Sequence, residues 1–317
     1  MNFSTPVTVS PADHQADYNS DVVLLGSCFA VNIAEKFYSY KFRNIVNPFG
    51  ILFHPLAIDE MVHRCVNDQQ FSAGDLFHYN GRWHSFDVHS DLSHSDQQIM
   101  LKTLNKRLSD MRDALVKSTH IIITYGTAWI YREKASKSVV ANCHKMSASQ
   151  FDKEILSADS IEAAVSNTVN SIRSINPNAQ IIFTISPVRH IKDGMVENQR
   201  SKAHMISALH NFLDGNQDQQ LSYFPAYEIL MDELRDYRFY AEDMIHPSKT
   251  AVDFIWQRFT ETWISAAAYP VMEDVLKVQK ALSHRPFNPD SESHRQFLNV
   301  INSKIDVLTS AYPHIRF

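Results

Sequence analysis

Three runs of consecutive apolar, largely β-branched residues set the limits on how this chain can fold. Val22-Val23-Leu24-Leu25, His120-Ile121-Ile122-Ile123-Thr124-Tyr125 and Gln180-Ile181-Ile182-Phe183-Thr184-Ile185 lack the alternation of a half-exposed strand, so each reads as a strand covered on both faces. Shorter strand signals lie at Arg43-Asn44-Ile45-Val46, Ser138-Val139-Val140 and 221–224. Helical patterns fall between them: Cys28 to Tyr40 behind the first run, Ile161, Ala164, Val165, Val169 and Ile172 as a stripe within 159–175, and a further helix across 199–213. Strands alternating with helices predict a mainly parallel sheet with helices on both faces, a three-layer α/β/α fold.

The exits of these strands carry the chemistry. In open α/β sheets ligands bind outside the carboxyl ends of the strands, and here those ends read Gly26-Ser27-Cys28, Gly126-Thr127-Ala128 and Ser186-Pro187-Val188-Arg189-His190. Ser27 has two readings at this stage: a helix N-cap, a position serine often takes, or a nucleophile set where helix N–H groups can stabilise developing negative charge. Cys28 beside it is either a rival nucleophile or a small buried residue.

The remaining segments frame that edge. Residues 1–20, with Pro6 and Pro11, read as an extended lead-in. Within 54–115 the pattern is mixed: Ile58, Met61, Val62 and Cys65 have helical spacing, while Phe71 to His94 is rich in aromatics and histidines and reads as an excursion over one end of the sheet. Asp232 to Tyr240 is a polar aromatic stretch leading into Ala241-Glu242-Asp243-Met244-Ile245-His246-Pro247-Ser248. Pro247 suits the first turn of a helix whose buried face would be Val252, Ile255, Trp256, Phe259 and Trp263. Two amphipathic segments, about 271–282 and 294–309, are separated by Pro286 and Pro289 and predict a helical hairpin packed on the main domain.

Composition excludes whole classes of partner. The 317 residues can bury a sizeable core; a net charge of −5 without a long basic run gives no general attraction to nucleic acid or to an anionic membrane. No apolar stretch reaches spanning length and Met1 to Ser20 lacks the layout of a secretory leader, so a cytoplasmic protein is expected. Cys28, Cys65 and Cys143 are odd in number and lack CxxC spacing, which fits free thiols better than a disulfide framework or a zinc knuckle. The sixteen histidines include His84, His89, His94, His144, His190 and His246, but no H-E-x-x-H or comparable spacing, so metal hydrolysis ranks below serine chemistry and no metal or other cofactor is called for.

The block Gly26-Ser27-Cys28-Phe29-Ala30 resembles the signature of the GSCFA family, and the likeness continues. Asn47-Pro48-Phe49-Gly50, Thr124 to Trp129, Asn142-Cys143-His144-Lys145, Ser186 to His190 and Asp236-Tyr237-Arg238-Phe239-Tyr240 through Asp243 to Pro247 look like its other segments, together covering roughly 22–260. That family is similar in turn to the SGNH (GDSL-like) hydrolases. The resemblance implies a flavodoxin-like α/β/α domain over residues 1–268, with 269–317 as the helical appendage, and an esterase-type serine acylhydrolase or a related acyltransferase. Its implied substrate is an ester of a small or carbohydrate-like molecule. It matches Ser27 to the nucleophile, Gly50 to the glycine after the second strand, and Asp243 with His246 to the late D-x-x-H pair.

One block departs. Where an SGNH enzyme has Gly-x-Asn this chain has Gly126-Thr127-Ala128, so a side-chain oxyanion donor has to come from elsewhere, with Thr127 and Asn142 as candidates. In physical terms serine needs a base to take its proton as it attacks; His246 is the candidate base, and Asp243 would fix its tautomer. The N–H groups of Ser27 and Gly50 are candidate backbone donors for an oxyanion. His144, Arg189 and His190 are candidates for holding substrate. Against these stand blander readings: a structural turn for 142–145, and a salt bridge from Arg189 to Asp232, Glu233 or Asp236. The missing asparagine also raises a second class of function, a non-catalytic binding module on a degenerate scaffold. Nothing in the sequence addresses oligomeric state.

Overall fold

The computed structural model describes residues 5–285, 287–288 and 291–317. The expected hairpin prolines, Pro286 and Pro289, lie outside the described residues, as do residues 1–4. The central sheet holds β1 (Asp21–Gly26), β2 (Arg43–Val46), β5 (His120–Tyr125), β9 (Gln180–Ile185) and β10 (Leu221–Tyr223), all parallel, in the order β10-β9-β5-β1-β2. Numbered along the chain within this sheet alone, that order is 2-1-3-4-5, the flavodoxin-like arrangement. Between β2 and β5 come a hairpin of β3 (Phe77–Tyr79) and β4 (Arg82–His84); β6 (Trp129–Glu133), β7 (Val139–Val140) and β8 (Phe151–Ile155) form a second, antiparallel sheet. The strand expected at 138–140 therefore belongs to this side sheet and not to the central one. The partners β6 and β8 give little sequence signal because residues 152–154 are all charged, with Asp152 and Glu154 exposed.

Side chains alternate across a strand, and the alternation divides the core in two. Val23 and Leu25 of β1, Ile121 and Ile123 of β5, and Ile181 and Phe183 of β9 pack on α2 (Pro55–Val66), α3 (Gln97–Lys117), α4 (Ala158–Ile175) and α5 (Met195–Asp214). Val22, Leu24, Ile122 and Ile182 pack on the opposite layer, α1 (Cys28–Ser39) and, past the short α6 (Ala226–Glu228), α7 (Lys249–Trp263), α8 (Tyr269–Ser283) and α9 (Glu292–Ala311). The fold is thus three-layered α/β/α. Helix α3 buries Met100, Leu104, Leu108, Met111 and Leu115, a regular stripe that a reading of 54–115 as mixed overlooks. The expected buried face Val252, Ile255, Trp256, Phe259 and Trp263 is the one α7 presents. Pro247 falls just outside that helix, whose N-cap is Ser248, so it precedes the first turn rather than occupying it.

The crossing of β1 and β5 depends on a missing side chain. Gly26 has φ of +128°, and a Cβ built there would lie 2.0 Å from the Thr124 carbonyl oxygen. Gly26→Ala is expected to destabilise the protein by about 3 kcal/mol or more, combining a forbidden backbone conformation with a clash against main chain. A urea titration checks this, and an unchanged midpoint would mean the two strands do not approach as described.

Candidate active site

Ser27 sits at the exit of β1 as the N-cap of α1, its Oγ accepting the Phe29 N–H at 3.3 Å. The residue is 1% exposed. The capping reading of Ser27 is observed, and the hydroxyl's own proton has no acceptor among the described residues. The turn is held on both sides, since Gly26 N–H donates to Asn47 Oδ1 at 2.8 Å and Ser27 N–H donates to Thr124 O at 3.0 Å.

Asp243 and His246 lie on the loop that leads into α7, well after β10 in the chain. Ala241 N–H donates to His246 O and Ser248 N–H to Phe239 O, each at 2.8 Å, closing the loop on itself; Arg189 N–H donates to Ile245 O at 3.2 Å and ties it to the exit of β9. Within it Asp243 Oδ2 lies 2.6 Å from His246 Nδ1, while Oδ1 accepts the N–H groups of Ile245 at 2.9 Å and His246 at 3.0 Å. The His246 backbone N–H, then its ring and the Ile245 N–H, hold the Asp243 carboxyl down at about 2. Asp243 thereby holds the His246 ring at Nδ1; the ring is about half exposed and its Nε2 makes no hydrogen bond among the described residues.

That lowered value has a sign. Because the folded carboxyl titrates below its free value of about 3.9, the stabilisation from the pair is in place above that value and is lost as pH falls toward 2. A carbon-detected NMR titration of Asp243 is expected to give a midpoint of about 2. A midpoint near that of a free aspartate would mean the carboxylate does not hold the ring.

No hydrogen bond joins Ser27 Oγ to His246 among the described residues. The His246 loop is tied to the exit of β9 through Arg189, and β5 lies between β9 and β1, a strand separation of about 10 Å at the usual spacing. Hydrogen bonds of this kind are often long or unformed without substrate.

Of the candidate oxyanion donors, the Ser27 and Gly50 N–H groups and the Thr127 hydroxyl are already engaged. Ser27 N–H is bonded to Thr124 O, and Gly50 N–H donates to Asn47 O at 2.8 Å. Thr127 Oγ1 lies 2.9 Å from Ser201 Oγ and accepts the Trp129 N–H at 3.1 Å, tying α5 to the exit of β5. Asn142 Oδ1 accepts the His144 N–H at 2.8 Å and lies 3.1 Å from Ser90 Oγ. An uncommitted donor does lie beside the Gly26 turn: Asn47 Nδ2 is buried and has no partner among the described residues, on the amide whose oxygen holds Gly26 N–H.

The candidate substrate residues divide similarly. His144 is buried, with Nδ1 2.9 Å from Ser90 Oγ and Nε2 2.7 Å from Ser85 O, and burial pushes its imidazole down to about 4. The 142–145 segment is thus a hydrogen-bonded turn against the 85–90 excursion. Arg189 makes no ion pair among the described residues; Glu233 lies near Arg258 and Asp236 near Arg238, and the Arg189 guanidinium lies over the Tyr240 ring at 4.5 Å. His190 donates its backbone N–H to Asn198 Oδ1 at 2.8 Å, and its Nε2 is buried with no partner among the described residues. Burial first, then the charges of Lys202 and His246, push its imidazole down to about 4, so the ring is neutral. A cleft of about 720 Å³ against α2 and the β3–β4 hairpin, lined by His54, Asp59, Glu60, Arg64 and Asp87, contains neither Ser27 nor His246. Among the described residues no three His, Cys, Asp or Glu side chains gather as a metal site would need.

One residue of the site was missed by sequence reasoning. Lys202, on α5, is 1% exposed and donates from Nζ to Gly126 O at 2.7 Å and Ser186 O at 2.6 Å, the exits of β5 and β9. Its signal lies in the helical stripe Asn198, Ser201, Lys202, Met205, Ala208, Leu209 and Phe212, where a lysine stands at a core-facing position.

A sequence profile of the GSCFA family matches residues 21–259, spanning all five strands of the central sheet and both candidate site segments. The chain belongs to the GSCFA family. A second profile, for the C-terminal domain of GSCFA domain proteins, matches residues 275–317. No curated protein matches this GSCFA sequence. Solved structures similar to it include a carbohydrate esterase family 3 from Talaromyces cellulolyticus, at 9% identity and TM-score 0.37, covering 80% of this chain and 99% of that one. An acetyl xylan esterase from the rumen bacterium Butyrivibrio proteoclasticus has 10% identity and TM-score 0.39, covering 78% of this chain and 63% of that one. An acetyl esterase mutant with acetate ion has 9% identity and TM-score 0.35, covering 81% and 99%. The overlaps are loose, and the fold of this GSCFA chain is defined by its own strand order.

Proposed function

We propose that this GSCFA protein is an esterase-type serine acylhydrolase, with Ser27 as nucleophile, His246 as base and Asp243 holding the ring. Its substrate would be an ester of a small or carbohydrate-like molecule. The observation that carries the reading is the Asp243–His246 pair, with Nδ1 held at 2.6 Å and the ring about half exposed, at the same sheet edge where Ser27 leaves β1. An orienting carboxylate on Nδ1 is what a histidine base requires. As Ser27 Oγ bonds to the acyl carbon, its proton passes to Nε2 and is then given to the departing alkoxide. Water, or in a transferase another hydroxyl, completes the cycle. The Asn47 amide is the side-chain donor best placed to replace the absent Gly-x-Asn asparagine. Free cysteines throughout support a reducing compartment, the cytoplasm; among the described residues no helix is long and apolar enough to cross a membrane.

The second reading, a binding module without turnover, is favoured by the engagement of Ser27 N–H, Gly50 N–H and the Thr127 hydroxyl inside the fold. Fluorophosphonate labelling with mass-spectrometric mapping separates the two. Adduct on Ser27 is the expected result; a folded protein that takes up no label supports the module.

A further inference from the structure

A lysine ammonium fully removed from water, with no carboxylate beside it, is a strongly unfavourable placement unless the charge is used or lost. Lys202 is such a group. Facing its Nζ are the Gly126 and Ser186 carbonyls, the Cys28 thiol from α1, the neutral His190 ring from the segment after β9, and the Tyr227 ring of α6 at 5.7 Å. No ion pair to Lys202 exists among the described residues. Its two carbonyl partners belong to adjacent strands, β5 and β9, so one side chain sets the spacing of the two exits between Ser27 and the His246 loop.

We propose that Lys202 is a positioning residue that clamps the exits of β5 and β9 together and carries a positive charge beneath the start of α1, where it stabilises negative charge developing at Ser27. The role at Ser27 rests on the acyl-enzyme reading above; the buried charge does not, because it also acts on Cys28, the next residue. Burial pushes the Cys28 thiol up and the Lys202 charge opposes that rise. Burial also brings Lys202 itself down to about 7, so the charge is present below neutrality and is lost above it. A hydroxyl attack aided by this charge therefore weakens on the alkaline side, where a histidine base alone would keep its rate.

The test compares the full-length protein with Lys202→Met, which keeps the volume, and Lys202→Gln, which keeps a donor without the charge. Two probes are followed from pH 5.5 to 9.5, with circular dichroism to establish that each variant is folded. The first is fluorophosphonate labelling of Ser27: the wild-type rate is expected to fall above neutrality, and the uncharged variants to label about ten-fold or more slowly at pH 6.5 without that alkaline fall. The second is iodoacetamide alkylation of Cys28 resolved by mass spectrometry, expected to slow several-fold in the variants while Cys143 is unchanged. Should one variant fail to fold, the other carries the comparison, and the wild-type profile stands alone as a check on the alkaline fall. Folded variants with unchanged Cys28 alkylation and an unchanged Ser27 profile would overturn the proposal. A wild-type protein that never labels at Ser27, yet whose Cys28 responds to Lys202→Met, would sink the acyl-enzyme reading and uphold the buried charge.

Discussion

Ser27→Ala is expected to abolish fluorophosphonate labelling and to lower turnover of a reporter aryl ester by about 10⁴-fold or more, the scale of losing a serine nucleophile that acts with its base as a unit. The same change has a second, smaller consequence. The Ser27 hydroxyl accepts the Phe29 N–H as the α1 cap, and replacing a serine cap by alanine costs about 1 kcal/mol. In a protein of this length that moves the thermal midpoint by about 2–4 °C or less. The two effects are read separately, labelling by mass spectrometry and the midpoint by calorimetry. A large loss of labelling with a small thermal shift is the expected pattern. Label persisting on Cys28 or elsewhere in the variant would remove Ser27 as the nucleophile.

His246→Ala is expected to remove turnover on a similar scale while leaving the fold intact. The ring is about half exposed and its only hydrogen-bond partner among the described residues is Asp243, so its removal leaves no core cavity and no buried group unpaired; exposed substitutions of this kind usually stay within about 0.5 kcal/mol. The loop itself is closed by main-chain bonds from Ala241 and Ser248, and these do not involve the ring. Steady-state kinetics on the reporter ester, beside a chemical melt, checks both halves. Retained turnover would remove His246 as the base, and a collapsed melt would make it a structural residue.

Much of the architecture was legible because burial on both faces writes itself into composition. The runs at 22–25, 120–125 and 180–185 could hardly be anything but inner strands, and their parallel pairing follows from the helices between them. The side sheet was hidden for the opposite reason, since Asp152, Lys153 and Glu154 are three charged residues in a row, two of them exposed, and carry no hydrophobic rhythm. Of the candidate site, the strand-exit position of Ser27 and the i, i+3 pairing of Asp243 with His246 could be read in advance. The state of the candidate oxyanion donors could not: whether Gly50 N–H or the Thr127 hydroxyl is free depends on partners such as Asn47 O and Ser201, and Ser201 is 74 residues from Thr127 along the chain. Lys202 lay in plain sight within an apolar stripe, but the meaning of its position appears only once Gly126 and Ser186 are seen to converge on it.

The bare glycine at position 26 bears on how relatives of this chain should be screened. With a carbonyl oxygen 2.0 Å from where its Cβ would be, the position admits no side chain whatever reaction the protein performs. The opening letter of the family's own signature is therefore a mark of architecture, equally at home in a catalyst and in a silent descendant. Searches for active members should weigh the late aspartate and histidine above that glycine.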